Sequence, residues 1–114
     1  MKNGPAQHDR LLFQALLEQA RGIDPSVRGG SMFGCPAAYR GRKLAACVYG
    51  SGVGLKVPEA VAKSAIASGR AVPFTPYGKS QMREWIMIRP HEDGLDAYAD
   101  LLEAALTYAE ANDK

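Results

Sequence analysis

The chain has 114 residues, 46% of them hydrophobic and 23% charged, with a net charge of +2. That length suits one domain able to bury its own core without a disulfide or a metal, and the composition is globular rather than disordered. No apolar run approaches the roughly 20 residues needed to span a bilayer, and no apolar stretch with a small-residue cleavage site follows Lys2, so the expected compartment is the cytoplasm.

The first helix is expected from about Asp9 to Arg21. Leu12, Leu16 and Ala20 recur every four residues, with Phe13 and Leu17 beside them, which makes a broad apolar stripe. Asp9 can cap its start, and Gly22 stands where a C-terminal glycine belongs. Pro25 then marks a loop, since it disfavours helix at Asp24. From Val27 to Val57 the pattern is that of strands. Ser31 to Tyr39 reads as the first, made irregular by Gly34 and Pro36 in a way that suits an edge or a bulge. Arg40-Gly41-Arg42 is the expected turn. Lys43 to Tyr49 is the second strand, with Leu44, Ala46 and Val48 on one face. After Gly50-Ser51-Gly52 comes the third, Val53 to Val57, in which Val53, Leu55 and Val57 share a face and Lys56 points the other way. Three strands joined by short glycine turns make an antiparallel meander.

Pro58 to Ser68 reads as a second, alanine-rich helix, with proline in its first turn and Gly69 at its end. Ala71 to Thr75 is a short extended piece and Pro76-Tyr77-Gly78-Lys79 a turn. Arg83 to Arg89 is a strand with Trp85 and Met87 on one face and Ile86 and Ile88 on the other, the signature of a strand covered on both sides. A last helix begins near Gly94, with Asp93 as its cap and Asp96 in its first turn. Its stripe is Leu95, Tyr98, Leu102, Leu106 and Ala109. The expected order is α-β-β-β-α-β-β-α: an α+β fold, a two-layer antiparallel sheet with helices packed on it.

Catalytic constellations are absent. The chain has no G-x-S-x-G, H-E-x-x-H, G-x-x-x-x-G-K-[ST] or G-x-G-x-x-G pattern. Gly50-Ser51-Gly52-Val53-Gly54 lies between two strands, where no helix N-terminus follows to hold a phosphate. His8 and His91 have no nucleophile or ligand partner at a useful spacing. Cys35 and Cys47 form no C-x-x-C pair. If the turn is Arg40-Gly41-Arg42, Tyr39 faces Lys43 and Cys35 lies opposite Cys47; a four-residue turn removes that pairing. Apolar strand surroundings raise a thiol pKa and quench it. No enzyme activity, cofactor or metal is expected.

The charge is unevenly spread. Residues 1–27 balance to zero. Residues 28–89 hold ten cations against Glu59 and Glu84, a balance of +8, and residues 90–114 hold Lys114 against seven carboxylates, a balance of −6. This asymmetry either serves an anionic partner or is neutralised internally by an acidic last helix. Arg28, Arg40, Arg42, Lys43 and Lys56 come from the meander, and Lys79 and Arg83 from the second hairpin. Phe33, Tyr39, Tyr49, Phe74, Tyr77 and Trp85 are interleaved with them. Phosphates need cations and unpaired bases need flat partners, so the mixture is that of a nucleic-acid surface, although strand aromatics also build cores. The candidate residues for nucleic acid or another anionic partner are Arg28, Arg40, Arg42, Lys43, Lys56 and Lys79. The alternatives are a homodimer joined through sheet edges or helix faces, and a small-molecule site with a pocket lined by Arg28, Lys56 and Trp85.

One stretch carries a family likeness. Arg28-Gly29-Gly30-Ser31-Met32-Phe33-Gly34, the glycine turn ahead of Lys43-Leu44-Ala45, Gly54-Leu55-Lys56-Val57-Pro58-Glu59, Pro73-Phe74-Thr75 and Glu84-Trp85-Ile86-Met87-Ile88 follow in an order and spacing that resemble the TfoX N-terminal domain, a bacterial competence-regulator family. The resemblance covers about residues 27–108. It implies a fold related to the YjbR/CyaY-like group, with the same element order, and a small cytoplasmic, non-enzymatic regulatory domain working through a protein partner or nucleic acid. It implies no catalytic residues. The expected organisation is a single TfoX-N-like domain over residues 1–114, without the C-terminal domain that full-length TfoX regulators carry.

Overall fold

The structure is a computed structural model that describes residues 9–32, 34–75, 83–90 and 94–112. Helix α1 spans Arg10–Ile23. The Asp9 carboxylate accepts the Leu12 amide at 3.0 Å, which satisfies one orphan donor of the first turn. The stripe buries Leu16 and Ala20. The helix does not stop at Gly22, which lies inside its last turn. The end is made by Asp24, which is held extended ahead of Pro25 and donates its N–H to the Ala20 carbonyl at 2.8 Å.

The irregular strand expected over Ser31–Tyr39 is two strands, β1 (Arg28–Met32) and β2 (Cys35–Arg40). Gly34 sits between them at φ 82, a left-handed conformation open to glycine at little cost, so it reverses the chain rather than kinking it. Strands β3 (Lys43–Tyr49) and β4 (Gly52–Lys56) follow. Next come helix α2 (Glu59–Ala67), strands β5 (Val72–Pro73) and β6 (Trp85–Ile88), a 3-10 helix (Gly94–Tyr98) and helix α3 (Ala99–Asn112). Among the described residues the strands form one six-stranded antiparallel sheet, in the order β1-β2-β3-β4-β6-β5. The α+β class and the general order agree with the sequence reading, with one extra strand at the front. The turn expected at Pro76–Lys79 and the cap at Asp93 lie outside the described residues. Among the described residues no helix is long and apolar enough to cross a membrane.

Two local features change the register of the β2–β3 hairpin. Arg40 pairs with Lys43, so the turn is the two residues Gly41-Arg42, with Gly41 at φ 64. The pairing then slips: Ala38 faces Ala46 but Tyr39 faces Leu44, which leaves Ala45 as the extra residue of a β-bulge. Cys47 therefore faces Ala37 rather than Cys35, and the two sulfurs are not bonded to each other. The bulge also breaks the expected Leu44-Ala46-Val48 face. Ala45 and Ala46 both join the helix-side core, and Leu44 turns to the opposite face.

The sheet has a packed core on each side. The helix side holds Leu16, Val48, Val53, Leu55, Val57, Ile86 and Ile88 with Leu102 and Leu106 of α3. The other side holds Ala37, Cys47, Phe74, Trp85 and Met87, with Tyr39, Leu44 and Tyr49 packed against them. Strand β6 divides between the two as its alternation requires. Phe74 follows β5 and folds across the centre of this second face, where it is 1% exposed. Its ring lies 5.8 Å from Tyr49 and 5.5 Å from Trp85, centroid to centroid. It can do so because Gly54 lies beneath it: a Cβ there would come within 2.9 Å of the ring and 3.1 Å of the Cys47 sulfur.

Arg70, just beyond α2, ties the helix layer together. Its guanidinium meets both Asp100 oxygens at 2.7 Å, donates to the Ala97 carbonyl at 3.0 Å and stands over the Tyr98 ring. This fork holds the start of α3 against the end of α2.

Candidate anionic-partner site

Antiparallel pairing gathers residues that the sequence scatters. Arg28, the first residue of β1, pairs with Tyr39; Arg40, the last of β2, pairs with Lys43, the first of β3; Lys56, the last of β4, pairs with Trp85, the first of β6. These cations therefore lie along one end of the sheet, with Arg42 in the turn between two of them and Arg83 just ahead of β6. Five of the six candidates come together in this way, and Lys79 lies outside the described residues.

The five do different things. The Arg28 guanidinium stands 5.1 Å from the centre of the Tyr39 ring and donates to the Gly41 carbonyl at 3.1 Å. Tyr39 is itself fixed, because its hydroxyl donates to the Ser31 carbonyl at 2.8 Å and its ring closes on Gly30, where a Cβ would meet it at 3.2 Å. Arg28 is thus an exposed cation held in one place. Arg40 is half-buried and internally engaged. It pairs with Asp24 ahead of β1 and reaches Glu110 of α3 at 3.1 Å. The Ser26 hydroxyl and amide, at 2.7 and 3.0 Å, and then Arg40 hold the Asp24 carboxyl below its ordinary value. Arg40 ties three elements together, which is a structural duty.

Lys43 and Lys56 are placed otherwise. They line an open pocket of about 250 Å³ whose other walls include Leu44, Glu84, Tyr108 and Asn112. Among the described residues neither lysine forms an ion pair. The same pocket holds one carboxylate: Tyr108 donates its hydroxyl to Glu84 Oε2 at 2.6 Å, and that bond holds the phenol above its ordinary pKa. Arg42 is exposed at the hairpin tip. The result is a fixed arginine, an exposed tip cation and two lysines beside a pocket, all at one end of the sheet.

Set against known proteins, the chain matches no family model, no curated protein and no solved structure. The functional reading therefore stands on the residues and their geometry.

The pocket at Lys56 does not include Arg28 or Trp85, so the three do not line one cavity there; Trp85 is buried in the second core. Nucleophile chemistry finds little support. Cys47 is fully buried, and burial first, with Cys35 beside it, pushes its thiol up to about 12, which leaves almost no thiolate at neutral pH. Among the described residues no group of three His, Cys, Asp or Glu side chains could hold a metal. Sequence reasoning missed the Glu84–Tyr108 pair. The partners are 24 residues apart, and Tyr108 falls beside the helix stripe with nothing local to single it out.

Proposed function

We propose that the chain is a non-enzymatic regulatory binding module of the TfoX N-terminal kind, and that its partner is the phosphate backbone of a nucleic acid, bound at the basic end of the sheet. One observation carries this reading: Lys43 and Lys56, brought together from β3 and β4, flank an open pocket without an ion pair among the described residues. A lysine ammonium outside an ion pair is strongly hydrated and gains from a phosphate mainly by releasing condensed counterions. Arg28 and Arg42 extend the same end, so a backbone running along it meets several cations in turn. The aromatic residues contribute less, because Phe74 and Trp85 are buried in the second core and cannot stack on bases. Binding through the backbone, indifferent to base sequence, is the consequence.

The test is a titration with short duplex and single-stranded DNA using the parent protein and a Lys43→Ala/Lys56→Ala variant. The variant is expected to bind every sequence more weakly by a similar factor. Equal affinity for parent and variant contradicts the assignment.

A second reading, a homodimer, is favoured by one feature. β1 is an edge of the sheet, and Arg28, Gly29, Gly30 and Ser31 are all exposed along it. Solution mass separates the two: a dimer that breaks when a proline replaces Gly30, with no DNA binding, supports this reading instead.

A further inference from the structure

A second pocket lies at the opposite end of the sheet from the lysines, where β3 ends, β4 begins and β6 ends. It measures about 290 Å³, close to the lower end of the volumes that hold small ligands. Its apolar walls are the edge-to-face rings of Tyr49 and Phe74, the Pro73 ring and the Met87 thioether. Its floor is bare because Gly52 has no side chain, and a Cβ there would stand 2.9 Å from the Met87 sulfur. Its polar side is the Gly50-Ser51 turn and Arg89.

Arg89 gives this pocket its character. Its guanidinium is folded back over Met87, with Nη2 3.6 Å from the sulfur, and among the described residues it meets no carboxylate. Arg21, Arg28, Arg40 and Arg70, by contrast, each donate to a carbonyl or a carboxylate. Nη2 spends one N–H on the Met87 sulfur, a weak acceptor, and the other guanidinium donors are left for a carboxylate. The half-buried Tyr49 ring and the exposed Pro73 ring favour a flat apolar body, with the buried Phe74 and Met87 behind them as a firm backing.

We propose that this pocket binds a small aromatic carboxylate, its carboxylate on Arg89 and its ring against the accessible Tyr49 and Pro73 rings. The site is separate from the lysine end and does not depend on nucleic-acid binding. The rigid floor of β4 and β6 and the glycine at position 52 make it pre-formed, so little ordering opposes binding.

The test is an NMR titration of the whole chain with benzoate, with benzamide and acetate as controls. Benzoate is expected to saturate below about 1 mM and to shift the amides of Gly50, Ser51, Gly52 and Arg89. Benzamide has the ring without the charge and acetate the charge without the ring, and each is expected to bind about tenfold more weakly or less. Arg89→Gln, at an exposed position just past β6, is expected to abolish the preference for benzoate over benzamide. Arg10→Gln, which removes the same charge from exposed α1, is expected to change nothing. No saturable shift up to about 10 mM, equal binding of benzoate and benzamide, or full affinity in Arg89→Gln each overturns the proposal.

Discussion

The Arg40 guanidinium reaches the Glu110 carboxylate at 3.1 Å while also pairing with Asp24, so one cation joins the β2–β3 hairpin to the α1–β1 loop and to the last helix. With Arg70 and Asp100, this places part of the acidic tail against part of the basic middle. The charge asymmetry of the sequence therefore has two components. Arg40 and Arg70 are ion-paired within the fold, whereas among the described residues Lys43 and Lys56 form no ion pair. Arg40→Ala is expected to lower the denaturation midpoint, because it strands Asp24 and loosens α3 at once, and to do so by less than loss of a core aromatic. Urea denaturation followed by circular dichroism checks it; an unchanged midpoint contradicts the structural role given to Arg40.

The second core depends on a ring lying on a glycine. Phe74→Ala empties a fully buried site and is expected to cost about 3–5 kcal/mol. Gly54→Ala pushes a methyl group into the Phe74 ring and the Cys47 sulfur and is expected to cost about 1–3 kcal/mol. Because both changes act on the same contact, the double variant should be less destabilised than the two costs added. Strict additivity in a denaturation cycle contradicts the contact.

Acid should weaken the fold through two named carboxylates. Asp24 is held below its ordinary 3.8 by the Ser26 hydroxyl and amide, then by Arg40, and Asp100 is held below it by the Arg70 fork. A carboxyl with a depressed folded pKa adds stability above its unfolded value and loses it as pH falls through the folded one. Stability contributed by these groups is therefore complete above about pH 5 and lost progressively below pH 4. Both groups are solvent-accessible, so the effect is modest. Asp100→Asn is expected to lower stability near pH 7 and to flatten the acid limb; an acid limb as steep as the parent's contradicts the pairing.

The Cys47 thiol, pushed up to about 12 by burial, should be inert in the folded chain. In a Cys35→Ala background, which leaves one sulfur, reaction with an aromatic disulfide reagent at pH 8 is expected to follow global unfolding and to accelerate with denaturant. Immediate stoichiometric reaction in native buffer contradicts the buried position.

Much of the fold is legible in the sequence where periodicity is strong. The α1 stripe from Leu12 to Ala20, the alternation Val53-Leu55-Val57, and the two-faced Trp85–Ile88 segment each bury the side chains their spacing predicts. The front of the sheet is harder to read. Gly34 and Pro36 look like damage to one strand, and only the reversal at Gly34 shows two. The Ala45 bulge leaves no mark, since alanine suits either face; it overturns the Leu44 face and, together with the two-residue turn at Gly41-Arg42, the Cys35–Cys47 register. The candidate site is legible as a list of cations but not as a division of labour. Nothing near Arg40 in the sequence announces Glu110, which stands 70 residues further on, and nothing near Glu84 announces Tyr108.

The most direct test of the nucleic-acid reading is the salt dependence of DNA affinity in the parent chain, in Lys43→Ala/Lys56→Ala, and in Arg89→Gln as a control that removes one charge at the other end of the sheet. Log affinity should fall linearly with log salt, and the double variant should lose about 1–2 from the slope while Arg89→Gln loses less. An affinity independent of salt, or a slope that Lys43 and Lys56 leave untouched, would contradict a phosphate-binding end to the sheet.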